Sequence, residues 1–317
     1  MPLHPDCTAY MEKSAAWAAA RGLPAFWEMP HARARTVYRD FITTSGRPMP
    51  EMARVEDIRI PTRAGHCPGR LLVPRASGST PLPVIVYYFS GGYVIGGIDE
   101  SEHEARRLAA RTPAIVVSVG YRVAPEHRFP AAAEDACDAL RWVAENARQF
   151  GGDPQRLAVA GCSAGGGLSA IVAGKAAADG PRLHLAILHC PWLDLTLSQP
   201  SIRRYAKGYD LDREFLEWFV AAYIGDSGKA TDPLASPLLQ PVPAGMPALV
   251  ILAAECDPLI DEARLYADKL RAARVSTTLI EAPGMIHAFN EITHLIPAGE
   301  PLLDPVHAAI RSALDGA

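Results

Sequence analysis

The chain has 317 residues, 49% of them hydrophobic and 21% charged, with a formal net charge of −4. That length and apolar content support one large domain with a substantial core and a small appendage. A near-balanced charge with no basic stripe and no like-charge run speaks against nucleic acid as a partner and against a disordered tail.

The N-terminus, Met1-Pro2-Leu3-His4-Pro5-Asp6, has no basic region and no long apolar core, so it does not read as an export signal. No stretch approaches the ~20 apolar residues that a membrane span needs. Residues 1–48 carry Tyr10, Trp17, Phe26 and Trp27 but show no strand–helix alternation. Residues 55–60 and 70–73 read as an opening antiparallel pair. The apolar run 83–89 reads as a strand, and Ser90-Gly91-Gly92-Tyr93 follows it. A glycine-rich loop in that place supplies backbone N–H donors to an oxyanion hole, and Gly91 and Gly92 are assigned to it. A helix over 101–112, a strand over 114–119, a structural loop over 121–130 and a helix over 132–149 come next. His127, in that loop, precedes the serine candidate, whereas the base of this chain order follows it.

The strand run 157–160 leads into Gly161-Cys162-Ser163-Ala164-Gly165 and then a small-residue helix over 164–178. A serine between two glycines at a strand-to-helix turn is a nucleophile elbow: the glycines permit the sharp turn, and the serine is pushed out where a base can reach it. The N–H of Ala164 is assigned as a third oxyanion donor. A strand over 184–189 follows, flanked by His184 and His189, expected at its core or edge. Residues 196–228 interrupt the alternation again, and Phe215, Trp218 and Phe219 put aromatics on one helix face. That face is expected to pack onto the body, with Trp218 a candidate for the substrate pocket. Asp257 sits just past a strand at 247–254; a helix at 261–273 and a strand at 275–281 lead to His287 in the loop Gly284-Met285-Ile286-His287-Ala288-Phe289, and a helix over 303–315 ends the chain. His294 and His307 are expected at the surface. Glu255 and Asp261 are alternative acids, Asp261 being explained by a helix N-cap.

The order Ser163, Asp257, His287 is the triad order of an α/β-hydrolase. A serine hydroxyl is a poor nucleophile near neutral pH, so an imidazole must take its proton. A carboxylate must hold that imidazole in the right tautomer and stabilise its charged form. Alternating strands and helices predict a mostly parallel central sheet with helices on both faces, and ligands in such sheets bind at the C-terminal strand ends. None of the six cysteines forms C-x-x-C, so they read as reduced thiols of a cytoplasmic protein. No histidine pair has metal-ligand spacing.

From about residue 55 to about 314, the chain resembles the hormone-sensitive-lipase-like bacterial esterases, a branch of the α/β-hydrolases. The resemblance rests on the loop from Ser90 to Gly96, the segment from Tyr121 to Ala132, Gly161 to Gly166, Asp257-Pro258-Leu259 with Asp261-Glu262, and His287-Ala288-Phe289. It implies an α/β-hydrolase fold with a small helical cap: residues 49–195 and 229–317 as catalytic domain, 1–48 and 196–228 as cap segments. It also implies hydrolysis of short-chain carboxylic esters through an acyl-enzyme, with no cofactor and no metal, a small ester as partner, and a homodimer as an assembly common among similar proteins. Amide, lactone or carbamate hydrolysis would use the same machinery; a non-catalytic ligand-binding protein is disfavoured by the presence of all three triad types. Two positions depart from the family pattern. Phe89-Ser90 stands where the family has His-Gly, and Cys162 stands where it has Asp or Thr. Either both are supporting changes that leave the backbone donors intact, or apolar packing has replaced a polar support of the loop. A further alternative makes the Ser90 hydroxyl an extra donor to the hole; Phe89, Tyr93 and Cys162 are expected near the pocket or in its support.

Overall fold

The computed structural model describes residues 2–46, 48–75 and 81–315. Two helices, α1 (Pro5–Ala19) and α2 (His31–Thr44), precede a hairpin of β1 (Met52–Thr62) and β2 (Gly65–Pro74). Strand and helix then alternate through β3 (Leu82–Tyr88), α3 (Ile98–Arg111), β4 (Ile115–Val119), α4 (Ala131–Asn146), β5 (Gly152–Cys162), α5 (Ala164–Asp179) and β6 (Leu185–His189). Helices α6 (Pro200–Arg204) and α7 (Arg213–Tyr223) interrupt the pattern before β7 (Ala248–Cys256), α8 (Ile260–Ala272), β8 (Thr277–Ile286) and α9 (Asp304–Asp315).

One eight-stranded sheet has the order β1-β2-β4-β3-β5-β6-β7-β8. The β1–β2 and β2–β4 pairings are antiparallel, and all the others are parallel. Every residue of β4 and β6 is buried, as are residues 83–88 of β3 and 157–162 of β5. Such unbroken burial requires cover on both faces of the sheet, which is why these strands read as continuous apolar runs. The fold is that of an α/β-hydrolase.

Strand register positions the site. Tyr88 of β3 pairs with Gly161 of β5, so Ser90 and Ser163 each stand two residues beyond a paired position. Cys256 of β7 pairs with Ile286 of β8, so Asp257 and His287 each stand one residue beyond. Four groups far apart in sequence thereby reach the same sheet edge. Because β8 runs to Ile286, Gly284 and Met285 belong to the strand rather than to the expected loop. Likewise β5 starts at Gly152, earlier than its apolar run, because Leu82 pairs with Gly152 across a local irregularity.

Several polar ties fix the loops. The Tyr121 hydroxyl donates to the Phe89 carbonyl at 2.8 Å, and the Arg122 N–H and guanidinium both bind Asp135 at 2.8–2.9 Å. Buried Glu262 accepts the N–H groups of Leu193 and Asp194 at 2.6 and 2.9 Å, tying the chain after β6 to α8. Asp261 is not an N-cap: Leu259 holds that place, and Asp261 accepts the Ser201 N–H at 2.9 Å, joining α6 to α8. His307 is not at the surface but 2% exposed on the inner face of α9, and burial pushes its imidazole down to about 4. His294 is half-buried, 2.9 Å from the Ser45 hydroxyl. His189 is buried 3.3 Å from the Glu104 carboxylate, and His184 contacts the Ala313 carbonyl at 2.7 Å. His127 is exposed. All six cysteines are free, and among the described residues no helix is long and apolar enough to cross a membrane.

Helix α2 is held to the body by Arg35. Its guanidinium donates to the Val94 and Ala124 carbonyls at 2.7 and 2.5 Å and forms a fork with Glu126 at 2.6 and 2.9 Å. The fork holds the Glu126 carboxyl down at about 2, chiefly through its hydrogen bond to Arg35. Arg35→Ala should lower unfolding free energy by about 1.5–3 kcal/mol, the range for hydrogen bonds to a charged group. Urea denaturation checks this, as a lower midpoint with an unchanged slope.

Candidate active site

Ser163 occupies the turn between β5 and α5 with φ +56° and ψ −118°, a conformation costly for a residue with a side chain. Backbone bonds hold it there: the Ser163 N–H donates to the His189 carbonyl at 2.9 Å, and its own carbonyl accepts from Gly167 and Trp192 at 2.9 and 3.0 Å. The flanking glycines are there for space. A Cβ on Gly161 would lie 2.4 Å from the Gly165 backbone, and one on Gly165 would lie 1.9 Å from the Tyr88 carbonyl oxygen.

The Ser163 hydroxyl is 2.9 Å from His287 Nε2, and His287 Nδ1 is 2.7 Å from Asp257 Oδ2. With the Nδ1–H donated to the carboxylate, Nε2 is free to accept the serine proton. The other Asp257 oxygen accepts the Leu259 N–H at 2.8 Å, which fixes the carboxylate plane. Asp257 is 1% exposed, while Ser163 and His287 are 7% and 8% exposed. Burial by itself lowers the basicity of His287, but the Asp257 carboxylate, with Glu291 and Asp210 behind it, outweighs burial and leaves the imidazole above its ordinary value. Of the alternative acids, Glu255 is turned to the Gly284 N–H at 2.8 Å. Among the described residues, Cys190, Asp257 and His287 form the one group whose spacing suits a metal, with ligand atoms within 4.8 Å of one another. Burial pushes the Cys190 thiol well up, so it offers a poor ligand at neutral pH.

Across from the serine, Gly91 and Gly92 have φ of +114° and +60°. The Gly91 carbonyl accepts from Val94 and Ile95 at 3.0 and 2.9 Å, closing the turn. Among the described residues no acceptor takes the N–H of Gly91, Gly92 or Ala164. Glycine is needed here too, since a Cβ on Gly92 would sit 2.3 Å from the Phe219 ring.

The support of this loop is polar, which favours the reading of supporting changes over that of apolar packing in place of a polar support. The Ser90 hydroxyl donates to the Glu291 carboxylate at 2.6 Å, so it is turned away from the part of an extra oxyanion donor. The Tyr87 hydroxyl lies 3.4 Å from the same carboxylate. Phe89 stacks on Tyr121 with ring centroids 3.9 Å apart. Beneath the nucleophile, the Cys162 thiol is 3.6 Å from the Asn290 side-chain oxygen, and Asn290 contacts Glu104 and His189 at 3.3 Å. Burial alone would raise the Glu104 carboxyl, but Arg107 and His189 hold it below the carboxylate range. Burial pushes the Cys162 thiol well up, so it is packing rather than a second nucleophile. Tyr93 is buried and stacks on Tyr223 at 4.2 Å. Glu291 and Asn290 were not singled out in the sequence; their spacing from the base motif is the one cue it held.

A cavity of about 490 Å³ opens over Ser163, Ser90, Gly91, Gly92 and His287. Tyr10, Trp17, Phe26 and Trp27 wall it from the N-terminal segment, and Phe215 and Phe219 from α7. Trp218 does not line it: its ring stacks on His31 with centroids 4.7 Å apart. Nor do Phe89, Tyr93 and Cys162, which support the site from behind.

A family model described as the alpha/beta hydrolase fold matches residues 85–291. The chain belongs to that family, in its branch of hormone-sensitive-lipase-like esterases. It is 35% identical to the ethyl acetate hydrolase of Pseudomonas putida, over 99% of this chain and 100% of that protein. It is 42% identical to the carboxylesterase NlhH of Mycobacterium tuberculosis, over 74% of each. It superposes with a TM-score of 0.92 on an α/β-hydrolase enzyme from the metagenome of Lake Arreo, Spain, at 34% identity and 98% coverage of each chain.

Gly92→Ala keeps its N–H, but its Cβ against the Phe219 ring should shift the loop and misplace the proposed oxyanion donor, lowering kcat by ~10² or more in a folded protein. Steady-state kinetics with circular dichroism separates this from unfolding.

Proposed function

We propose that Ser163, His287 and Asp257 form the catalytic triad of a serine carboxylesterase acting on small esters. The class, carboxylic ester hydrolase, follows from the family and from the relatives named above. The observation that carries the mechanism is the unbroken line from hydroxyl through imidazole to carboxylate, at 2.9 and 2.7 Å, beside untaken backbone donors.

Ser163 attacks the ester carbonyl while His287 Nε2 takes its proton, and Asp257 stabilises the imidazolium through Nδ1–H. The N–H groups of Gly91, Gly92 and Ala164 receive the developing oxyanion, helped by the positive end of α5. His287 returns its proton to the leaving alcohol. Water, activated by the same imidazole, then attacks the acyl-enzyme; the acid leaves and Ser163 recovers its proton. Residues 1–48 and 196–228 act as a cap, supported by the aromatic walls they give the cavity. A cavity of about 490 Å³ with such walls suits short acyl and alcohol parts. The six free cysteines support a reducing, cytoplasmic setting.

The wild type should hydrolyse p-nitrophenyl acetate and butyrate and be labelled at Ser163 by a serine-reactive phosphonate. Ser163→Ala should lose ~10⁴–10⁶ in kcat and take no label; retention of either would overturn the assignment. The base acts only when neutral, so kcat/KM should fall as pH drops through the His287 pKa. Because that pKa is raised, the midpoint of this limb should lie above the ordinary histidine value of about 6.5.

A further inference from the structure

The charged groups that line the active-site cavity are all acids or the triad imidazole: Asp210, Asp212, Glu291 and His287, with no lysine or arginine among the described lining residues. Two of the acids are engaged. Asp212 accepts the Gly208 N–H at 2.8 Å, and Glu291 accepts the Ser90 hydroxyl at 2.6 Å. Asp210 is different: among the described residues no donor hydrogen-bonds to its carboxylate, which is coupled only through space to His287 and Asp212. Arg213 is paired with Glu217 at 2.8 Å, and Arg21 lies over the Trp17 ring at 4.3 Å.

The backbone at Asp210 is also unusual. Its φ is +70°, and the N–H of Leu211 reaches back to the Tyr209 carbonyl at 2.9 Å. Three-residue turns of this kind with a positive φ are rare and strained. Asp210 is an exposed residue, so water reaches its carboxylate within the cavity. Nearby protein and Asp212 push the carboxyl up to about 6, so it is ionised at pH 8. Tyr10, Trp17, Phe26 and Phe215 line the same cavity. A carboxylate that shares a cavity with aromatic rings attracts a cation twice, by its charge and through the ring faces.

We propose that Asp210 is a specificity-determining residue that makes the pocket prefer esters carrying an ammonium group and reject esters carrying a free carboxylate. This rests on the esterase function proposed above and names its substrate class.

The test compares kcat/KM for matched esters at pH 8 in the wild type and in Asp210→Asn; asparagine tolerates the positive φ and removes only the charge. On the acyl side the set is the p-nitrophenyl ester of γ-trimethylammonio-butyric acid, that of its uncharged tert-butyl isostere, and the monoester of glutaric acid. On the alcohol side, butyrylcholine is set against neohexyl butyrate. The cationic-to-neutral ratio should be about tenfold in the wild type on at least one side, as expected for charges several ångströms apart in a partly shielded site. It should fall at least fivefold in Asp210→Asn, while the anionic-to-neutral ratio rises. A wild-type ratio near one on both sides, or ratios unchanged by the substitution, overturns the proposal. Should Asp210→Asn not fold, the wild-type ratio between low salt and ~0.5 M NaCl decides: it should shrink several-fold with screening, and constancy would count against Asp210. Failure of the esterase function looks different, because then the neutral esters are not turned over or Ser163→Ala turns them over as well.

Discussion

The start of α5 presses so closely on the end of β3 that a single added carbon at Gly165 would lie 1.9 Å from the Tyr88 carbonyl oxygen. That approach sets the rest of the site. It brings the turn holding Ser163 against the strand that delivers Ser90, Gly91 and Gly92, so nucleophile and candidate oxyanion donors are positioned by one contact. The strained backbone at Ser163 persists because three backbone hydrogen bonds, one to the His189 carbonyl and two from the Gly167 and Trp192 N–H groups, over-determine it. Parallel register on the other side of β5 then carries Asp257 and His287 to the same edge.

Much of this was legible in the sequence because it depends on local signals. Buried parallel strands read as apolar runs, and Ser90, Ser163 and Asp257 sit within three residues of where those runs stop, while His287 lies six past the expected strand end because β8 runs on to Ile286. Ser163 was marked further by glycines that no other residue could replace. What escaped notice depends on pairings across long separations. Ser90 meets Glu291 about two hundred residues later, and Cys162 meets Asn290. Nothing periodic marks either acid or amide, since both lie in a short turn after the base. The cap aromatics were visible as a group, but a helical repeat does not say which ring faces the cavity. Phe215 and Phe219 line it while Trp218 turns to His31. His307 was misplaced for a related reason, because one histidine on an amphipathic helix carries no mark of the face it occupies.

The departures from the family pattern gain a physical sense once their partners are known. The loop at Ser90 keeps a polar anchor, now a hydroxyl to carboxylate bond with Glu291, and Phe89 gains a stacked ring in Tyr121. Cys162 is too deeply buried to ionise, and its contact with Asn290 connects the nucleophile turn to the segment after the base. Both substitutions therefore act between elements that must keep their spacing for a proton to pass from Ser163 to His287.

The acids of the cavity act on the reaction in two opposed ways. A carboxylate near the scissile carbonyl disfavours the oxyanion, yet the same charge favours the imidazolium that forms in the same step. Asp210 and Glu291 both hold the His287 imidazole above its ordinary value. The oxyanion must then be met by donors whose strength does not depend on pH and which carry no net charge. In the proposed mechanism the backbone N–H groups at Gly91, Gly92 and Ala164 supply such donors. A lysine or arginine placed there would neutralise the oxyanion more strongly but would also depress the base and occupy the carboxylates. An acid-lined pocket and the proposed hole of backbone donors are therefore mutually consistent, and the described lining residues include no lysine or arginine.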